Sequence, residues 1–267
     1  MKLWMRQIEL TAGDKNFKGK DFRIQFRVPF STSENPDVSE IEIYNLTKDS
    51  ISAMESKAYT ILNVGYKGDI GNILSGKIEE ITSRWEKVDK ITTLKVSDGG
   101  FEWRSTRIQK TYAKGSTAKH IMQDLSGMLG LEVVEVSPKK EITYQLGRTI
   151  SGDVEKALKQ LVEDTESKMY IDKGKLYIRD NDKGTETGFL LNSDTGLVGS
   201  PEKTEEENEK KEKIIKYNVK CLLNHKITTD SIIQIESKTV NGNYRVESGS
   251  HYCDDGNFIT EMVVVPM

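Results

Sequence analysis

"GLVGS" at residues 196–200 and "YNVKCLL" at residues 217–223 both read as strand, and between them lies "PEKTEEENEKKEKIIK", residues 201–216. A charge block this dense is ordinarily solvated or an interaction segment, and such blocks tend to sit at chain ends. Strand pattern resumes directly behind this one, so the chain must leave a sheet and come back to it. The fold to be explained is therefore a compact β domain that carries a charged projection.

Outward from that block the sequence is β on both sides. Behind it stand "SIIQIES" (231–237), "GNYRVES" (242–248) and "FITEMVVV" (258–265), and before it "GFLLN" (188–192), a set large enough for a barrel. The N-terminal part alternates in the same way. "FRIQFRV" (22–28) places Phe22, Ile24, Phe26 and Val28 on one face, and "SEIEIYNL" (39–46) does so with Ile41 and Ile43. In "TILNVGYKGDIGNILSGKIEEIT" (60–82), Gly65, Gly68, Gly71 and Gly76 mark bends or bulges between short strands, and "ITTLKVSDGG" (91–100) ends on an Asp-Gly turn signal. Within "LTKDSISAMES" (46–56), Thr47 or Asp49 is placed to cap a short helix.

From Gly115 the period changes. "GSTAKHIMQDLSGMLGL" (115–131) offers Ser116 or Thr117 as N-cap and a stripe of Ala118, Ile121, Met122, Leu125 and Leu129. "SGDVEKALKQLVEDT" (151–165) repeats the pattern with Ser151 or Asp153 as cap and Val154, Ala157, Leu158, Leu161 and Val162 as stripe. With the strands "LEVVEV" (131–136) and "ITYQL" (142–146) and the hairpin "KMYIDKGKLYIRD" (168–180), these make a small α+β module. The expected division is a β domain over 1–112, a two-helix module over 113–183, and a second β domain over 184–267, the two β domains being the tube-like ones that the family resemblance given below implies. The expected fold class is mainly β, two barrel-like domains flanking or embracing the module.

Composition sets limits on function. Among 267 residues, 36% are hydrophobic and 30% charged, the balance of a water-soluble globular protein, and a net charge of −3 gives no global basic field for nucleic acid. No apolar run is long enough for a signal peptide or a membrane span, so the expectation is a protein made in a cytosol with no membrane anchoring. Cys221 and Cys253 sit in strand-rich segments and read as buried packing residues.

Chemistry finds no address. His120, His225 and His251 lack ligand spacing to one another or to a carboxylate. "DNDKG" (180–184) opens like a calcium loop, but its fifth and twelfth positions are Gly184 and Leu191, and "HYCDDG" (251–256) reads as a hairpin turn. The adjacent carboxylates Glu79 and Glu80 are assigned by alternation to opposite faces, one inward and one outward. Nucleophile-elbow, zincin, phosphate-loop and dinucleotide motifs do not occur. No catalytic, metal or cofactor-binding residue is assigned.

Several segments together carry a family pattern. "IEIYNLTKDSI" (41–51), "VGYKGDIGNILSGKIEEI" (64–81) and "DGGFEWRSTRIQKTYAKGSTAKHIM" (98–122), in that order, resemble the N-terminal tube domain of phage tail baseplate hub proteins. "YNVKCLLNHKI" (217–227), "IIQIES" (232–237) and "GNYRVESGSHYCDDGNFITEM" (242–262) resemble the closing part of the same family, with Gly242, Tyr244, Val246, His251 and Asp254 at its last hairpin. The resemblance spans nearly the whole sequence. It implies a virion tail component assembled in the bacterial cytoplasm: a homotrimer presenting a pseudo-sixfold face to a hexameric tail tube protein and joined to a spike protein, with the tape measure protein a further candidate partner. Some family members continue into a lytic domain, and this sequence ends at "MVVVPM" without one, which argues against activity. On this reading the charged block is a long loop of the second tube domain. Glu205, Glu206, Glu207, Lys210, Lys211 and Lys213 are its candidate inter-subunit or partner contacts. A tail-associated cell-wall hydrolase and a carbohydrate- or receptor-binding β protein are the alternatives.

Overall fold

In the computed structural model, residues 4–54, 58–207 and 213–267 are described. The chain divides into two units, the first comprising Met1–Ser31, Val38–Val96 and Gly184–Met267 and the second Thr32–Asp37 and Ser97–Lys183.

The first unit is almost entirely strand. Its N-terminal part runs β1 (Arg6–Ala12), β2 (Lys15–Lys18), β3 (Ile24–Ser31), β4 (Val38–Tyr44), helix α1 (Lys48–Ser52), β5 (Tyr59–Tyr66), β6 (Asp69–Glu86) and β7 (Asp89–Ser97). Thr47 caps α1, its hydroxyl accepting from the Ser50 N–H at 3.1 Å. The second unit contributes α2 (Gly100–Ser105), β8 (Arg107–Tyr112), β9 (Ser116–Thr117), α3 (Ala118–Ser126), β10 (Glu132–Ser137), β11 (Thr143–Tyr144), β12 (Arg148–Asp153), α4 (Val154–Asp164), β13 (Ser167–Asp172) and β14 (Lys175–Asp180). The chain then returns to the first unit as β15 (Thr185–Leu191), β16 (Glu202–Glu207), β17 (Lys213–Leu222), β18 (Ser231–Glu236), β19 (Asn241–Cys253) and β20 (Phe258–Pro266).

The strands of the first unit form one sheet in the order β16-β17-β20-β19-β3-β4-β7-β6-β5-β1-β2, with β18 on β19 and β15 on β18. The joint between its two halves is β3 against β19, from Ser31↔Ser248 to Phe26↔Cys253. β19 is long enough to serve two neighbours on one side, β18 along its first part and β3 along its second, and its register with β20 shifts between Val246 and Ser248. A bulge of this kind bends a strand, which lets it leave one partner for another. Two separate barrels were expected; the described pairings give one branched sheet that closes into neither. Each half nonetheless keeps its own core, one around Leu10, Phe26, Ile41, Leu62 and Leu94 and the other around Phe30, Val219, Ile233, Val246 and Val264. Gly71 and Gly76 interrupt nothing, for β6 runs through both.

In the second unit α3 and α4 bury Ile121, Met122, Leu125, Leu158 and Leu161 against the sheet β10-β14-β13. Thr117 caps α3 through its hydroxyl, which accepts from the His120 N–H at 3.2 Å. Asp153 stands at the N-cap of α4 and turns its carboxylate to Lys156 at 2.8 Å and Arg107 at 3.0 Å. At the turn from β13 to β14, Lys173 and Gly174 both take positive φ, the conformation that a tight hairpin turn demands. The main stretch of this unit runs from Ser97 to Lys183, with Thr32–Asp37 joining it, where a module over 113–183 was expected. Trp103 on α2, 1% exposed, is part of its core, and β8 pairs along its whole length with β12.

Candidate functional site

The charged block is a β-ribbon, not a loop, across its described residues. β16 pairs antiparallel with β17 from Glu202↔Asn218 to Glu207↔Lys213. Alternation in β17 buries Val219 and Cys221 and sets Tyr217 edge-on to Tyr244 at 5.5 Å, so the base of the ribbon is held by the second core. Farther out, Ile214 and Ile215 are 36% and 39% exposed.

Ion pairs along and diagonally across the two arms accompany the extended pairing of so charged a segment, since opposite charges on neighbouring strand positions favour a ladder and like charges weaken it. Glu205 accepts from Lys203 at 2.8 Å and Lys213 at 3.4 Å, and the hydrogen bond from Lys203 leads the effects that hold its carboxyl below the usual range. Lys216 lies between Glu206 at 2.7 Å and Glu247 at 2.6 Å. Burial opposes its charge, yet those two hydrogen bonds raise its ammonium above the ordinary value. Of the expected contact residues, Glu205, Glu206 and Lys213 thus engage partners inside the ribbon. Glu207 is placed by its backbone alone, and Lys210 and Lys211 lie outside the described residues.

A second ribbon, which the sequence did not single out, is formed by β6 and β7. Core residues Ile73, Leu74 and Ile78 give way beyond Ile78 to a stretch in which only Ile81 stays half-buried. Ser83 and Thr92 share a hydrogen bond at 3.2 Å, and Arg84 pairs with Glu42 at 2.8 Å. At its tip Trp85 is 72% and Val88 85% exposed. Both Glu79 and Glu80 face solvent, and Glu80 pairs with Lys95 at 2.8 Å, so the expected inward carboxylate is not there. A strand of this length drifts from simple alternation where its neighbours end.

The remaining polar candidates are structural in their surroundings. His251 is buried, with Nδ1 2.9 Å from the Thr260 hydroxyl and its ring beside Phe30. His225 lies 3.6 Å from Asp69 and His120 stands edge-on to Tyr112. Asp254 accepts from the Asn257 N–H at 2.6 Å and the Gly256 N–H at 2.8 Å, bonds that depress its carboxyl to about 2 and build the turn between β19 and β20. Asp180 similarly accepts from the Asp182 N–H at 3.1 Å, while Lys139 reaches both carboxylates. Cys221 and Cys253 are buried free thiols, pushed by burial up to about 12 and about 11. Among the described residues no group of three or more metal-capable side chains converges, and no helix is long and apolar enough to cross a membrane.

The family model described as "Baseplate hub gp41" matches residues 32–251. Among solved structures, the chain is similar to the 43 kDa tail protein of prophage MuSo2 from Shewanella oneidensis, at 12% identity and TM-score 0.68 over 98% of each chain. It is similar to a tail protein from Neisseria meningitidis MC58, at 9% identity and TM-score 0.68, over 98% of this chain and 97% of that one. A third likeness is to the E. coli c3393 protein, a type VI secretion component described as structurally similar to T4 tail proteins gp27 and gp5. There the identity is 10% and the TM-score 0.64, over 97% of this chain and 76% of that one. No curated protein matches it in sequence.

Proposed function

The chain belongs to the Baseplate hub gp41 family, and from that premise we propose that it is the structural hub of a phage or phage-like tail, a trimeric ring with pseudo-sixfold character that joins a hexameric tail tube to a central spike. One observation carries the reading: a single sheet holds two cores, and each half extends a β-ribbon beyond its core. One subunit then offers two comparable wall segments, and three subunits offer six. Ribbons exposed on both faces are marginal in water and gain from pairing or packing with another chain. Tube and spike proteins are the proposed partners, with assembly in the bacterial cytoplasm. The ribbon bearing Glu205, Glu206, Glu207, Lys210, Lys211 and Lys213 is a proposed contact with a neighbour. Imaging the purified chain with its tube protein tests this: end-on views should show three copies making a six-lobed ring, and a two-fold particle would refute it. The hydrolase alternative loses its carboxylate pair, as Glu79 and Glu80 are both exposed, and a zymogram on bacterial wall should stay blank.

A further inference from the structure

Across β3, β19, β20, β17 and β16 the sheet of the first unit carries a groove of about 860 Å³. Its floor is a row of residues directly opposite one another across five strands, Ser31, Ser248, Val263, Asn218 and Glu202. Two serines keep part of this floor low, and Val198 and Ser200 line one side. Lys220 and Glu261 neutralise each other at 3.0 Å. Arg27 on β3 and Glu202 on β16, at opposite ends of the groove, are exposed, and among the described residues neither has an ion-pair partner.

The same unit presents a projection with matching properties. The β6–β7 tip carries Trp85 and Val88, the two most solvent-exposed apolar side chains there, with Glu86 and Lys87 between them. Neither Glu86 nor Lys87 has an ion-pair partner among the described residues. Ile81, four residues back along β6, packs on the first core, and from Thr82 on every side chain of the strand is exposed, so the tip carries Trp85 past the end of its own core.

We propose that the Trp85–Val88 tip of one copy seats in the groove between β3 and β16 of a second copy, with Lys87 meeting Glu202 and Glu86 meeting Arg27. Tip and groove are different surfaces of one chain, so the contact is head-to-tail, and such contacts close into rings when the rotation allows. An aromatic anchor entering a pocket at the centre, with complementary charges at the rim, is the pattern that concentrates binding energy and sets register. Trp85 is exposed in the single chain, so the groove is not filled by its own tip. The proposal rests on the ring reading and names the contact that would build it.

The test is sedimentation equilibrium of the full chain, alone and with its tube protein, for Trp85→Ala, Lys87→Glu, Glu202→Lys and the Lys87→Glu/Glu202→Lys pair. Circular dichroism and melting should match the parent, because all three side chains are exposed. Trp85→Ala should weaken self-association at least about tenfold, each charge reversal should weaken it several-fold, and the pair should regain most of the loss. As a second readout, Val88→Cys mixed with Ser200→Cys should form an inter-chain disulfide that neither forms alone. Self-association that ignores Trp85→Ala and gives no cross-link overturns this contact while leaving the ring reading standing. Absence of self-association with and without the tube protein overturns both.

Discussion

Asp98 holds a carboxyl where water hardly reaches, 8% exposed, with Oδ1 lacking a hydrogen-bond partner among the described residues. Burial first, then the charges of Asp37 and Asp172, push it well above the ordinary carboxylate range. The folded chain therefore keeps a proton that the unfolded chain releases, and by linkage its contribution to stability falls as pH rises through the unfolded value until the folded value is reached. Asp98→Asn should raise stability at neutral pH and flatten the decline above the carboxylate range; urea midpoints across pH would show it, and an unchanged slope would count against a buried neutral acid. Cys221→Ser and Cys253→Ser should leave assembly indifferent to reductant, since both thiols are free; loss of assembly on reduction would contradict that. Close approach is visible at Gly71, where an added Cβ would lie 2.1 Å from the His225 ring, so Gly71→Ala should displace that ring and lower the melting temperature. The sequence shows the glycine, but its reason is a residue more than a hundred positions away.

The elements divide by how local their causes are. Both long helices are legible, because cap and apolar stripe lie within each segment; the expected stripes are buried except that Ala157 is half-buried and Leu129 lies past the end of α3. Leu125→Ala or Leu158→Ala should cost ~2–5 kcal/mol by opening a cavity. Thr117→Ala should cost about 1 kcal/mol through the lost cap. Both are measurable by urea unfolding of the second unit's signal. α2 has no local mark in the sequence, because Trp103 packs into a core built by distant segments, with α4 as a neighbouring helix. Local composition in the charged block opposes a strand, and the pairs Lys213–Glu205 and Lys216–Glu206 form only when the two arms are opposed. The β6–β7 ribbon was split at its glycines for a similar reason, since its continuity depends on β5 and β7 as neighbours.

At the scale of the molecule, β on both flanks of a helical module was readable, but the joint was not: β3 and β19 pair across more than two hundred residues of sequence, which no local period can announce. That joint turns two expected bodies into one sheet with two cores, and it is the feature from which the ring is argued. The second unit has its own core, and its charged helix faces suit solvent or a polar partner, so we propose that ring formation does not depend on it. Leu125→Ala should then loosen that unit while assembly persists; loss of assembly with the unit still folded would put its helices at the subunit contact instead. The central claim is the number of copies that build the ring. Native mass spectrometry of the chain with its tube and spike proteins measures it directly: the account predicts three copies per assembly, and a complex holding two or four copies under those conditions would contradict it.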